Sequence, residues 1–224
     1  MHDFVKWSGD DVCLIRGNKR ALECWVQVED RMLLAQGVPP AVGVEAVSVV
    51  VDSVDVCHVA NGRARCTRTS GDRYEGWSAI PGIAEVVDVE IREDDGCALT
   101  AAGGVSCWQV KFEGDDYVLE SGPFVVLAEG AVELIAGDFG YCVRMRGGAV
   151  LCGVPTPEHA ELQVEIEGKA VEIAAGRGHY CARIDENGDG TSEHVECHGE
   201  NEPGQLGKLG THVMLQPTKI ELQR

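Results

Sequence analysis

The chain has 224 residues, 44% of them apolar and 25% charged, the balance of a globular protein able to bury a core. Its formal charge of −18 at pH 7, with a pI near 4.7, repels phosphate backbones and argues against nucleic acid as a partner. No run reaches the ~18–20 apolar residues of a membrane-spanning helix, and Asp3, Lys6, Asp10 and Asp11 leave no signal sequence after Met1.

Along the chain one pattern returns. The ten cysteines fall into successive pairs separated by 11, 9, 10, 10 and 16 positions. None has the C-x-x-C spacing of a zinc ribbon or a redox motif. The first members stand 44, 40, 45 and 39 residues apart, a period of propeller blades or solenoid units. Ahead of the first cysteine an alternating run predicts a strand, at 47–51, 86–91, 132–137 and 171–176. A second strand carries that cysteine and ends in a hairpin turn: Gly17-Asn18, Asn61-Gly62, Gly103-Gly104 or Gly147-Gly148. The third strand carries the second cysteine, as in Gly104-Val105-Ser106-Cys107 and Ala149-Val150-Leu151-Cys152. A further extended piece, opened by Pro123 or Pro217, brings each unit to about four strands, which is one blade.

Two cysteines about ten residues apart across a tight turn face each other on antiparallel strands, where Cα separations of ~4.5–5.5 Å suit a disulfide. The repeat selects Cys13–Cys24, Cys57–Cys66, Cys97–Cys107, Cys142–Cys152 and Cys181–Cys197. Each bond closes a short loop and contributes roughly 2–3 kcal/mol. Five such bonds imply an oxidising compartment, so the expected location is secreted, periplasmic or cell-surface. The bland alternative is a reduced protein with ten small buried side chains.

The fifth unit reads Val171-Glu172-Ile173-Ala174-Ala175-Gly176-Arg177-Gly178-His179-Tyr180-Cys181-Ala182 and ends Gly199-Glu200-Asn201-Glu202-Pro203-Gly204-Gln205-Leu206-Gly207. With Cys97-Ala98-Leu99-Thr100, Val105-Ser106-Cys107-Trp108 and Cys24-Trp25, it resembles the regulator-of-chromosome-condensation (RCC1-like) repeat family over nearly the whole chain. The Gly-Gln-Leu-Gly segment is absent from the first four units. The resemblance implies an all-β fold, a β-propeller of RCC1-like blades in a single domain. The expected units are 1–39, 40–80, 81–122, 123–164 and 165–216. Residues 217–224 are expected to form a strand that meets the N-terminal segment and closes a five-bladed ring. An arc cut from a longer chain is the rival.

The fifth pair encloses about six extra residues, and Asp185 to Glu196 fit the calcium-loop pattern D-x-[DN]-x-[DN]-G-x5-E. Asp185, Asn187, Asp189, Thr191, Glu193 and Glu196 are the expected oxygen donors of a structural calcium, against an ordinary polar hairpin. A zinc set of His179, Cys181, His194, Cys197 and His198 competes with the disulfide. Asp10, Asp11, Asp55, Asp94, Asp95, Asp138, Phe139, Tyr141 and His179 lie at or beside strand-joining turns and form a candidate binding face, although Asp is also a common turn residue. Trp25 and Trp108 share a repeat position that suits packing.

No nucleophile elbow, phosphate loop or H-E-x-x-H motif is present. The expected function is therefore non-enzymatic binding of a protein partner of basic character by a monomer, with no cofactor besides calcium. An enzyme or small-ligand binder using an axial pocket is the alternative, and a structural cell-surface module the third reading. Family members include nucleotide-exchange factors and a secreted β-lactamase inhibitor. Strong acidity and disulfides fit the first poorly.

Overall fold

The computed structural model describes residues 4–8, 11–28, 31–34, 41–49, 56–67, 69–70, 73–74, 77–92, 94–113, 116–176, 178–190, 192, 194–202, 204, 206 and 213–221. Among the described residues there is no helix, and none that could cross a membrane. The chain forms two compact units: 1–129 with 156–158, and 130–155 with 159–224.

Unit 1 holds three four-stranded sheets. The first is β1 (Phe4–Ser8), β2 (Asp11–Arg16), β3 (Ala21–Val28) and β4 (Arg31–Leu34). The second is β5 (Val44–Val49), β6 (Val56–Ala60), β7 (Arg63–Thr67) and β10 (Ser78–Ala79), with a small ladder of β8 (Thr69–Ser70) and β9 (Arg73–Tyr74) between the last two in sequence. The third is β11 (Val86–Ile91), β12 (Asp95–Thr100), β13 (Val105–Glu113) and β14 (Asp116–Leu127). Unit 2 holds two more. One is β15 (Ala131–Gly137), β16 (Gly140–Met145), β17 (Val150–Gly153) and β18 (Gln163–Ile166). The other is β19 (Ala170–Gly176), β20 (His179–Ile184), β21 (His194–Glu200) and β22 (Val213–Glu221). Every sheet is an antiparallel meander whose spatial order follows the chain.

The two middle strands of each sheet are joined by a disulfide: Cys13–Cys24, Cys57–Cys66, Cys97–Cys107, Cys142–Cys152 and Cys181–Cys197. In all five the cysteines are direct partners across the ladder, with Cα atoms 4.0–4.1 Å apart. The hairpin turn sets that register. In β6–β7 it is Asn61-Gly62, with φ of 53° and 67°, the left-handed pair that matches strand twist. Nine of the ten cysteines are buried, so the bonds also fill the apolar layers between sheets.

Those layers are continuous within each unit. In unit 1, Ile15, Leu22, Val47 and Val56 join the first sheet to the second, and Val59, Ile83, Val89 and Trp108 join the second to the third. In unit 2, Val150, Ile166, Ile173 and Ala182 pack together. Trp108 lies flat across its partner Gly96, where a Cβ would stand 2.3 Å from the indole; any side chain there displaces the ring. The innermost strands run alongside one another. The Ser48 hydroxyl of β5 donates to Glu90 of β11 at 3.0 Å and accepts from the Ile91 N–H at 3.1 Å. Four of these strands carry a bulge at the same place, leaving Glu45, Val87, Val132 and Val171 exposed.

The phase of the strands differs from the expectation at two places. Residue Pro123 does not open a new unit: it lies inside β14, the outer strand of the third sheet. The strand is broken in register there by Gly122, at φ 98°, which reads in sequence as a boundary. Likewise Pro217 lies inside β22, which pairs with β21 (Cys197↔Thr218, Val195↔Ile220) as the outer strand of the fifth sheet. A short connection favours pairing with the strand just before it.

His58 of β6 is buried, packed edge-on against Trp77 with ring centroids 4.2 Å apart. Burial first, and the Arg65 charge second, hold its pKa at about 4. The unfolded chain takes up that proton near pH 6.5, so stability is lost as the pH falls from 6.5 towards 4, by up to about 3 kcal/mol. Urea unfolding across this range should show the loss, and His58→Gln should flatten it. Separately, a Cys57→Ala/Cys66→Ala double variant should lose roughly 2–3 kcal/mol in the same assay.

Candidate functional site

In a four-stranded meander the connections between first and second strands and between third and fourth strands leave at one end, and the middle hairpin turns at the other. In unit 1 the two ends differ in composition. The segments joining β1 to β2, β5 to β6 and β11 to β12 contain Asp10, Asp52, Asp55, Glu93 and Asp94. Those joining β3 to β4, β7 to β10 and β13 to β14 contain Glu29, Asp30, Asp72, Glu75 and Asp115. Of the middle turns only that at 17–20 is charged, through Lys19 and Arg20; Asn61-Gly62 and the turn at 101–104 carry no charge.

Asp10, Glu29, Asp30, Asp52, Asp55, Asp72, Glu75, Glu93 and Asp115 lie outside the described residues, and Asp11 is placed in β2. Asp94 is exposed and its carbonyl accepts from the Val110 N–H at 2.9 Å, which anchors the turn to β13. Asp95 is half-buried, its carboxylate 3.8 Å from Arg92. In unit 2, Asp138 is exposed, and Phe139 and His179 are half-buried at the ends of β15 and β19. The His179 ring covers Gly176, and the Phe139 ring packs on Tyr180 with centroids 5.4 Å apart.

Tyr141 corrects the sequence reading. It is 2% exposed, on a strand covered on both faces from Gly140 to Val143, so it belongs to the core rather than to an exposed face. Phe139 is largely committed to packing as well.

The loop between β20 and β21 is organised by its own hydrogen bonds. Asp185, buried at its root, accepts from the Gly188 N–H at 2.7 Å through one carboxylate oxygen and from the Gly190 N–H at 2.9 Å through the other. Asn187 accepts from the Asp189 N–H at 2.9 Å. Glu196 faces His194 on β21. Thr191 and Glu193 lie outside the described residues. Among the described residues no three His, Cys, Asp or Glu side chains converge as a metal site. Cys181 and Cys197 are bonded to each other, which removes the thiolates of the zinc set.

One polar group in unit 2 was not foreseen. The Tyr180 hydroxyl lies 2.8 Å from His198 Nδ1 and 3.2 Å from Glu165 Oε2, and its pKa is pushed well up by burial and then by the Glu165 carboxylate. Tyr180 and His198 flank bonded cysteines and are partners in the ladder, so their meeting was legible. Glu165, on β18 of the neighbouring sheet, was not.

Against solved structures, the chain aligns over 98% of its length with human WBSCR16, at 14% identity and a TM-score of 0.69, spanning 67% of that chain. It aligns over 98% with Prp20p from Saccharomyces cerevisiae, described with its binding properties to Gsp1p and histones, at 13% identity and a TM-score of 0.67, spanning 63% of that chain. The chain has an RCC1-like β-propeller fold. A lactonase-like protein from Bacteroides uniformis also matches this propeller, at 12% identity and a TM-score of 0.53 over 95% of the chain and 71% of the other. No protein-family model and no curated protein sequence matches. The chain thus spans about two thirds of the length of WBSCR16 and Prp20p.

Replacing Asp185 by Ala should free both amides it caps and cost about 2 kcal/mol, read from urea unfolding, with faster proteolysis at 186–190.

Proposed function

We propose that this propeller is a non-enzymatic binding protein of an oxidising, extracytoplasmic setting that holds a basic protein against the acidic strand ends of unit 1. The observation that carries the reading is the sequence of the segments joining first to second and third to fourth strands in unit 1, which hold ten Asp and Glu against Arg68, Arg73 and Arg92, with Asp94 exposed among the described residues. Charges so arranged accelerate encounter with an oppositely charged partner and select against acidic ones. Five disulfides support the setting, since such bonds persist where thiols are oxidised. The propeller fold supports protein binding, as the yeast neighbour is described with two protein partners.

The test is affinity capture from secreted and surface proteins, followed by association kinetics on what is captured. An Asp94→Lys variant should slow association several-fold, and raised salt should slow the parent in the same way. A partner whose association ignores both changes would sink this reading.

A further inference from the structure

His194 opens β21 at the exit of the acidic loop and is fully buried. Its Nε2 lies 3.0 Å from Glu196 Oε1. A carboxylate accepts and does not donate, so Nε2 carries a proton, and in the neutral ring Nδ1 keeps a lone pair. That Nδ1 is buried and has no hydrogen-bond partner. It faces the loop, where Glu186 Oε1 stands 3.7 Å away. In the neutral ring a lone pair and a carboxylate oxygen face one another, an arrangement that a cation between them would relieve.

The spacing fits such an ion. Zinc bonds of about 2.0–2.2 Å put two ligands of one ion ~3.4–3.6 Å apart at tetrahedral to trigonal angles. The Nε2–H donated to Glu196 is the outer support that fixes the tautomer of metal-bound imidazoles. Glu186 is half-exposed, which leaves a way in from solvent. Calcium suits the group less well, because it takes oxygen ligands and both Asp185 oxygens already accept amide hydrogens.

We propose that His194 Nδ1 and the Glu186 carboxylate bind a divalent transition metal of the zinc class, completed by water. The ion ties the loop between β20 and β21 to its own strand. This is independent of the acidic face of unit 1, and it uses neither cysteine of the disulfide.

The intact, disulfide-bonded protein, stripped with chelator, is titrated calorimetrically with zinc chloride and, separately, calcium chloride at slightly alkaline pH; thermal unfolding is followed in parallel. Zinc should bind one ion per chain and raise Tm by several degrees, and calcium should do neither. Glu186→Gln, in an exposed loop position, should weaken zinc binding roughly tenfold or more. His194→Gln should abolish binding, with circular dichroism reporting its fold. No zinc binding by the parent, zinc binding indifferent to Glu186→Gln, or stabilisation by calcium instead of zinc overturns the proposal.

Discussion

In a sheet of four short strands, sliding by one residue turns every inward side chain outward, so the fold depends on the register that the hairpin turns set. Here a covalent bond between the two middle strands removes that freedom in each sheet. With the centre pinned, inner strands present their apolar residues to the next sheet in a fixed phase, and Trp108 meets the one residue, Gly96, that gives it room. The buried Ser48–Glu90 contact then joins neighbouring inner strands through hydrogen bonds that close on both sides.

That division of labour leaves the strand ends free to vary. Core formation consumes the middle of each sheet, whereas the connections answer only to solvent and to whatever binds there. In the sequence of unit 1 several of these connections are rich in Asp and Glu. In unit 2 the corresponding end is partly filled by Phe139 and His179, which close over glycines and pack rather than project.

Much of the fold could be read from the chain because cysteine spacing and turn chemistry are local. Cys97 and Cys107 with Gly103-Gly104 between them specify a hairpin without knowledge of anything distant. Strand phase was less legible. Pro123 and Pro217 look like the start of something, yet each sits within an outer strand, where a missing N–H costs little. Burial of Tyr141 could not be read from alternation, because β16 is covered on both faces from Gly140 to Val143. Nor could the meeting of Glu165 with Tyr180 be foreseen, since it depends on how one sheet packs against the next.

The 16-residue span closed by Cys181–Cys197 shows that the hairpin inside a cystine can be lengthened while the ladder beneath it stays in step. Extra chain at such a tip adds little closure entropy, since that term grows only with the logarithm of length. At Gly188 and Gly190 a new Cβ would meet open space. The same tip is therefore a natural graft point for a foreign peptide epitope or reporter tag, displayed on a scaffold whose fold it need not disturb.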